Sequence, residues 1–197
     1  IAVLFRSSFH SFDLEIELSR SGLPFVKRGG VKFIETAHVK DLLAHLRVMA
    51  NPLDAVSWHR VLMLVEGVGP KKAQDLLTIL VKSEKPYDVL RGVSGRSSQG
   101  LKNLAYTLES LSGAEEQRTA EQVAHIYEYY LPILKEQYDD YPKRIRDLDH
   151  LHTIAEGYPE VQAFLSDLAL EPPDGSAVDV ESPDRDDEQM VLSTSHS

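Results

Sequence analysis

The chain has 197 residues, 42% hydrophobic and 26% charged, enough for a real core in one domain or in one domain plus part of another. It has no cysteine, which excludes disulfides and thiolate metal sites and fits a reducing, cytoplasmic setting. No apolar run is long enough to span a bilayer, so no membrane partner is expected, and the formal net charge of -10 sets the question of where the basic residues lie.

Ile1-Ala2-Val3-Leu4-Phe5-Arg6 is a continuous apolar run closed by a charge, the pattern of a buried parallel strand whose carboxyl end opens onto a ligand face. Ser7 or Ser8 can cap the helix that follows, whose apolar residues Phe12, Leu14, Ile16 and Leu18 run to a stop at Ser21-Gly22. Pro24-Phe25-Val26-Lys27 then reads as a second strand, giving a strand, helix, strand unit. After a turn at Gly29-Gly30, Val39, Leu42, Leu43, Leu46 and Met49 recur at helical spacing up to Asn51-Pro52.

From there the pattern is nearly all helical. Two short helical runs flank Glu66-Gly67-Val68-Gly69-Pro70-Lys71-Lys72-Ala73. The two glycines allow a tight turn and close approach to another surface, and Pro70 fits the first turn of the next helix, where its missing N–H costs nothing. The N–H groups at about Lys71 to Ala73 would then face outward as an anion site, reinforced by the helix dipole and by the Lys71 and Lys72 charges. A phosphate satisfies such donors whatever the bases, so the expected chemistry is non-specific grip on a nucleic-acid backbone. A nucleotide-binding loop is excluded, because it needs four residues between its glycines and then Gly-Lys-Ser/Thr. Charge distribution agrees: residues 60–102 hold eight Lys/Arg against four Asp/Glu, whereas 109–170 hold five against thirteen. One basic patch on an otherwise acidic protein orients an encounter.

Further helices are expected near 87–90, 97–111, 120–130, 143–155 and 160–170, with Pro132 ending or kinking the helix that holds Tyr127, since proline inside a regular helix costs about 3 kcal/mol. Tyr127, Tyr129 and Tyr130 could stack bases, or serve as core and rim packing. Residues 172–188, opening on Pro172-Pro173-Asp174-Gly175, are acidic and aperiodic and read as a mobile loop. Met190 to Thr194 returns to strand character, so both ends of the chain are expected in one sheet with the helical block inserted between them. The chain reads as a piece of a longer protein.

The order of Ala2-Val3-Leu4-Phe5-Arg6-Ser7-Ser8, Gly29-Gly30-Val31-Lys32-Phe33-Ile34-Glu35, Leu46-Arg47-Val48-Met49-Ala50-Asn51-Pro52, the Gly67-Val68-Gly69 hairpin, Phe164 to Leu170 and Leu192-Ser193-Thr194-Ser195-His196-Ser197 resembles the UvrD/Rep/PcrA family of superfamily 1 DNA helicases. The resemblance covers nearly the whole chain apart from 87–141. It implies a mostly α chain with a small α/β portion. Residues 1–34 would be part of the RecA-like subdomain 2A, and 35–171 a helical 2B-like insertion with a helix-hairpin-helix at about 56–81. Residues 172–188 would be the acidic loop, and 189–197 a returning 2A strand at the start of helicase motif V.

It further implies that the hairpin grips duplex DNA near the fork, that Arg6 lies near single-stranded DNA, and that Thr194 and His196 belong to motif V. Ser8 stands where the best-known members have Asn. The parent would be an ATP-dependent 3′ to 5′ helicase using ATP and Mg2+, with the remaining helicase subdomains and a regulatory protein as partners. This chain alone is expected to hydrolyse nothing, since it has no Walker A lysine, no acidic pair for magnesium and no arginine finger.

Metal binding finds little footing in the eight histidines. His38 and His45 lie two helical turns apart, His150 and His152 cannot share a helix face, and no His-Glu-x-x-His occurs. Nor is there a Gly-x-Ser-x-Gly elbow for nucleophilic catalysis. A second function class fits the same residues: a helical protein-interaction or regulatory module whose hairpin is a packing turn, favoured by the acidic surface from Glu109 to Glu188. Salt separates the two, because phosphate contacts release counterions and a packing turn does not.

Overall fold

A computed structural model describes residues 1–5, 11–28, 33–112, 118–169 and 190–194. Two compact units emerge, one from residues 1–36 with 164–197 and one from 37–163. The helix at 161–169 therefore contributes to the first unit from Phe164 onward, whereas the sequence put it in the helical block up to 171.

The first unit is built on three parallel strands, β1 (Ala2–Phe5), β2 (Phe25–Arg28) and β3 (Met190–Thr194), in the order β1-β3-β2. Helix α1 (Phe12–Arg20) connects the outer two, as a parallel pair demands a crossover, and the strand from the far end of the chain fills the gap between them. Ala2 pairs with Val191 and Phe25 with Met190, so both ends of the chain do share one sheet. Helix α1 stops in a left-handed turn at Gly22 (φ 65°), where the Leu23 N–H donates to the Leu18 carbonyl at 2.9 Å. Leu18, Phe25 and Leu192 form the core of this unit, with Val3, Phe5, Leu14 and Met190 packed against it.

β1 departs from the buried strand expected. Val3 and Phe5 are half-buried, but Ala2 and Leu4 are exposed, Leu4 at 73%. An apolar run signals a strand with both faces covered, and among the described residues only one face of this strand is half-buried.

The second unit is helical: α2 (Ala37–Ala50), α3 (Ala55–Met63), α4 (Pro70–Leu80), α5 (Pro86–Arg91), α6 (Ser98–Ser112), α7 (Thr119–Gln137) and α8 (Tyr141–Ala155), followed by α9 (Val161–Ala169), which crosses the boundary. Helix α2 is the axis of the unit. It packs against α3, α6, α7 and α8 and is buried on nearly every side. The main core joins Val48, Trp58, Leu62, Leu80, Leu90, Leu101 and Leu104, and the Trp58 indole N–H donates to the Pro52 carbonyl at 2.9 Å. None of the described helices is long and apolar enough to cross a membrane.

Asp54 starts α3 by accepting from the Ser57 N–H at 3.0 Å and from the Ser57 hydroxyl at 2.7 Å. Asp54→Ala should cost about 1 kcal/mol, read as a lower urea midpoint with an unchanged slope.

Being buried on nearly every side, α2 carries polar groups that must find partners inside. Asp41 accepts from the Arg60 guanidinium of α3 and from the Tyr130 hydroxyl of α7, the latter at 2.7 Å. His38 Nε2 meets Asp147 at 2.8 Å, and Arg144 Nη1 lies 3.1 Å from His38 Nδ1, linking α8 to α2. Arg144 can only donate, so His38 accepts at Nδ1 and carries its proton on Nε2 toward Asp147. Asp41→Asn should cost about 2 kcal/mol in equilibrium unfolding, since it removes the charge facing Arg60 but keeps an acceptor for Tyr130.

Helix α7 corrects the expectation for Pro132, because it continues through that residue to Gln137. The proline costs about 3 kcal/mol in a helix interior. Val123, Ile126, Tyr130 and Leu134 are fully buried along the same helix, each worth about 1.5–3 kcal/mol, so tertiary burial outweighs the local penalty. Tyr130 is a core residue, and Tyr127 and Tyr129 are half-buried; burial pushes the Tyr127 phenol up to about 12 and raises Tyr129 further.

Candidate nucleic-acid interface

The turn between α3 and α4 is built by its two glycines in different ways. The Val68 N–H donates to the Val65 carbonyl at 3.0 Å, which places Glu66 and Gly67 at the centre of a tight turn. Gly67 has φ 76°, the left-handed conformation that an L side chain resists. A Cβ there would also meet Arg96 Cγ at 3.3 Å and the Ser97 nitrogen at 3.5 Å. Gly69, in contrast, is extended (φ -94°, ψ 176°), and a Cβ on it would meet nothing within 4 Å. Nothing among the described residues requires glycine at 69.

Pro70 occupies the first turn of α4, and no side chain caps that helix. The Ala73 N–H is bonded to the Gly69 carbonyl at 2.9 Å and its side chain is fully buried. The expected donor set is therefore corrected by one residue. The Lys71 and Lys72 N–H groups, which have no acceptor among the described residues, are the pair that faces out. Val68, 6% exposed, points into the core and shapes the loop from within.

Lys71 is exposed, while the Lys72 ammonium donates to the Ser97 hydroxyl, tying the start of α4 to the start of α6. Beside it Arg96 forms an exposed ion pair with Glu66 at 2.7 Å. That carboxylate holds the Arg96 guanidinium above its ordinary pKa. The α6 end is pressed close: a Cβ on Gly100 would lie 2.7 Å from Val65 Cγ1. Three cations thus gather over two helix starts.

Residues 1–160 match the family described as the UvrD-like helicase C-terminal domain, most of the chain and all of the turn between α3 and α4. The chain belongs to that family. It is 25% identical over 188 residues to the ATP-dependent DNA helicase PcrA of Bacillus subtilis, covering 86% of this chain and 25% of the relative. PcrA of Staphylococcus epidermidis is 26% identical over 189 residues, and PcrA of Staphylococcus aureus 25%, each again with 86% of this chain and 26% of the relative. The chain thus spans about a quarter of the length of these curated relatives. A UvrD/PcrA-type superfamily 1 helicase fragment is what the resemblance in the sequence indicated.

Of the remaining candidate residues, only Thr194 is among those described. Phe5 pairs with Thr194, so β1 and β3 end at the same edge. Thr194 is described only as part of β3, and Arg6, Ser8, His196 and the 172–188 segment lie outside the described residues. Among the described residues no cluster of three or more His, Asp or Glu could hold a metal.

Sequence reasoning missed Arg96 and Ser97. The signal was present as a second glycine-bounded turn, Gly92-Val93-Ser94-Gly95, whose Gly95 has φ 93° and which opens α6 much as Gly67-Val68-Gly69 opens α4.

Proposed function

We propose that this chain is the DNA-contacting accessory part of an ATP-dependent 3′ to 5′ DNA helicase, with the sheet unit belonging to a RecA-like subdomain and the helical unit to a 2B-like insertion. The hairpin grips the backbone of duplex DNA beside a single-stranded junction. The observation that carries this is the outward pair of unpartnered N–H groups at Lys71 and Lys72, under a Gly69 that leaves the approach open. A phosphate there accepts both N–H bonds and gains from the helix dipole and the Lys71 charge. Such contacts carry no sequence information, which suits a motor that must hold any duplex.

Nucleotide does not belong to these residues. The sequence has no Gly-x-x-x-x-Gly-Lys-Ser/Thr loop, so ATP and Mg2+ would be held by other parts of the parent, and this chain contributes grip rather than hydrolysis. Arg6, Thr194 and His196, at or just beyond the carboxyl ends of β1 and β3, would serve the single strand. The remaining helicase subdomains are its constant partners.

The test is fluorescence anisotropy with a labelled duplex bearing a single-stranded tail, titrated at several salt concentrations. Affinity should fall with salt at a slope of about 0.9 per phosphate contact, and Lys71→Glu with Lys72→Glu should weaken binding at least tenfold at low salt. Equal binding by the double variant would make the hairpin a packing turn and leave a protein-interaction role for this unit.

A further inference from the structure

A cleft of about 850 Å³ opens within the helical unit between the turn at 63–68, helix α6 and helix α7. No lysine or arginine among the described residues lines it, but Glu66, Glu128 and Glu136 do. Glu66 is taken by Arg96, whereas Glu128 and Glu136 are exposed and have no ion-pair partner among the described residues. They flank Pro132 on one face of α7, and Pro132 has no N–H to give the Glu128 carbonyl. The cleft therefore offers acceptors. Between them it offers apolar surface: Tyr106 is 71% exposed and Met63 37%, with Ile133 alongside.

We propose that this cleft docks an extended segment of a partner protein with two basic residues four positions apart and an apolar residue midway. Glu136 lies eight helical steps beyond Glu128, a rise of about 12 Å. Four residues of extended chain span about 13 Å, and its two-residue period places both basic side chains and the central apolar one on the same face. The basic groups meet the two carboxylates while the apolar residue covers Tyr106. Nucleic acid is disfavoured by the same carboxylates. The chain's own segment at 171–188 is repelled too, with eight acidic residues and one arginine. The inference stands apart from the duplex-gripping role, since it needs no DNA. It would nevertheless give a partner access to the hairpin, because one wall of the cleft is the turn that carries Gly67 and Val68.

The experiment uses a fluorescein-labelled peptide, Gly-Ser-Arg-Ala-Leu-Ala-Arg-Ser-Gly, titrated with this chain at about 150 mM salt, where long-range attraction to an acidic surface is screened beyond about 8 Å. Binding is expected to weaken at least tenfold in the Glu128→Gln, Glu136→Gln variant. It should weaken at least fivefold in Tyr106→Ser, or when serine replaces the peptide leucine. All three side chains are exposed, so the fold should persist, checked by circular dichroism. Amide shifts on peptide addition should map to 63–68 and 125–137. No binding at millimolar peptide, binding indifferent to these changes, or shifts confined to other helices would overturn the proposal.

Discussion

Acidification from pH 6.5 to 4 should remove about 3 kcal/mol of stability through His45 alone. This imidazole is fully buried on α2, and burial lowers its pKa from 6.5 to about 4, outweighing the Asp41 carbonyl and the Asp41 charge, which both favour protonation. Its Nδ1 lies 2.7 Å from the Asp41 carbonyl oxygen, which can only accept. The proton therefore sits on Nδ1, and Nε2 is left as a buried lone pair with no donor among the described residues. The groups around it give an added proton no new partner: Tyr129 and Tyr130 of α7 present rings at 5.6 and 6.2 Å, and Asp41 is already held by Arg60 and Tyr130.

Above pH 6.5 the folded and unfolded chains are both neutral at His45, and it makes no difference to the balance. Below 6.5 the unfolded chain takes up a proton that the folded chain refuses until about pH 4. Stability falls by about 1.4 kcal/mol per pH unit across that window and levels off beneath it. His45→Leu should remove this slope while changing stability at pH 7.5 by less than about 1 kcal/mol. Urea unfolding of both proteins at pH 7.5, 6, 5 and 4.5 isolates the effect from the other histidines and the carboxylates. Parallel pH profiles would mean that His45 is protonated in the folded state or solvated.

The elements set by local chemistry were readable from sequence, and those set by distant partners were not. Gly67, Pro70 and the lysines after it announce a turn and a helix start because each residue's backbone preference acts where it stands. The two apolar runs at the chain ends announce strands for the same reason, and the family order of segments supplied their pairing. Pro132 misled because its local rule is real but small beside the four side chains that α7 buries. Leu4 misled in the opposite sense: its apolar run reports the burial a parallel sheet needs, and the described residues cover one face of the strand. The Lys72 to Ser97 bond joins residues 25 apart, and Asp41 to Tyr130 spans 89, separations at which periodicity says nothing. From sequence, His38 and His45 read only as unpromising metal ligands, and Asp41 has no reading of its own. They are the polar interior of a helix surrounded by four others.

The hairpin glycines offer the sharpest separation of structural from functional demand. Gly67→Val should destabilise the helical unit by about 3 kcal/mol, because a β-branched residue is forced to φ 76° and its Cβ presses on Arg96 and the Ser97 backbone. Gly69→Val should change stability by less than about 1 kcal/mol. Its extended backbone suits a β-branched side chain, which would project into open space. The order should reverse for duplex DNA. The valine at 69 would stand directly before the Lys71 and Lys72 N–H groups and hold a phosphate off them, weakening binding at least tenfold, or about 1.4 kcal/mol. Unfolding curves and tailed-duplex anisotropy on the same two proteins read both effects. A Gly69→Val protein that is stable and binds duplex as tightly as the parent would show that no backbone approaches this turn. Gly67 would then answer to the turn alone, and Gly69 to neither packing nor grip.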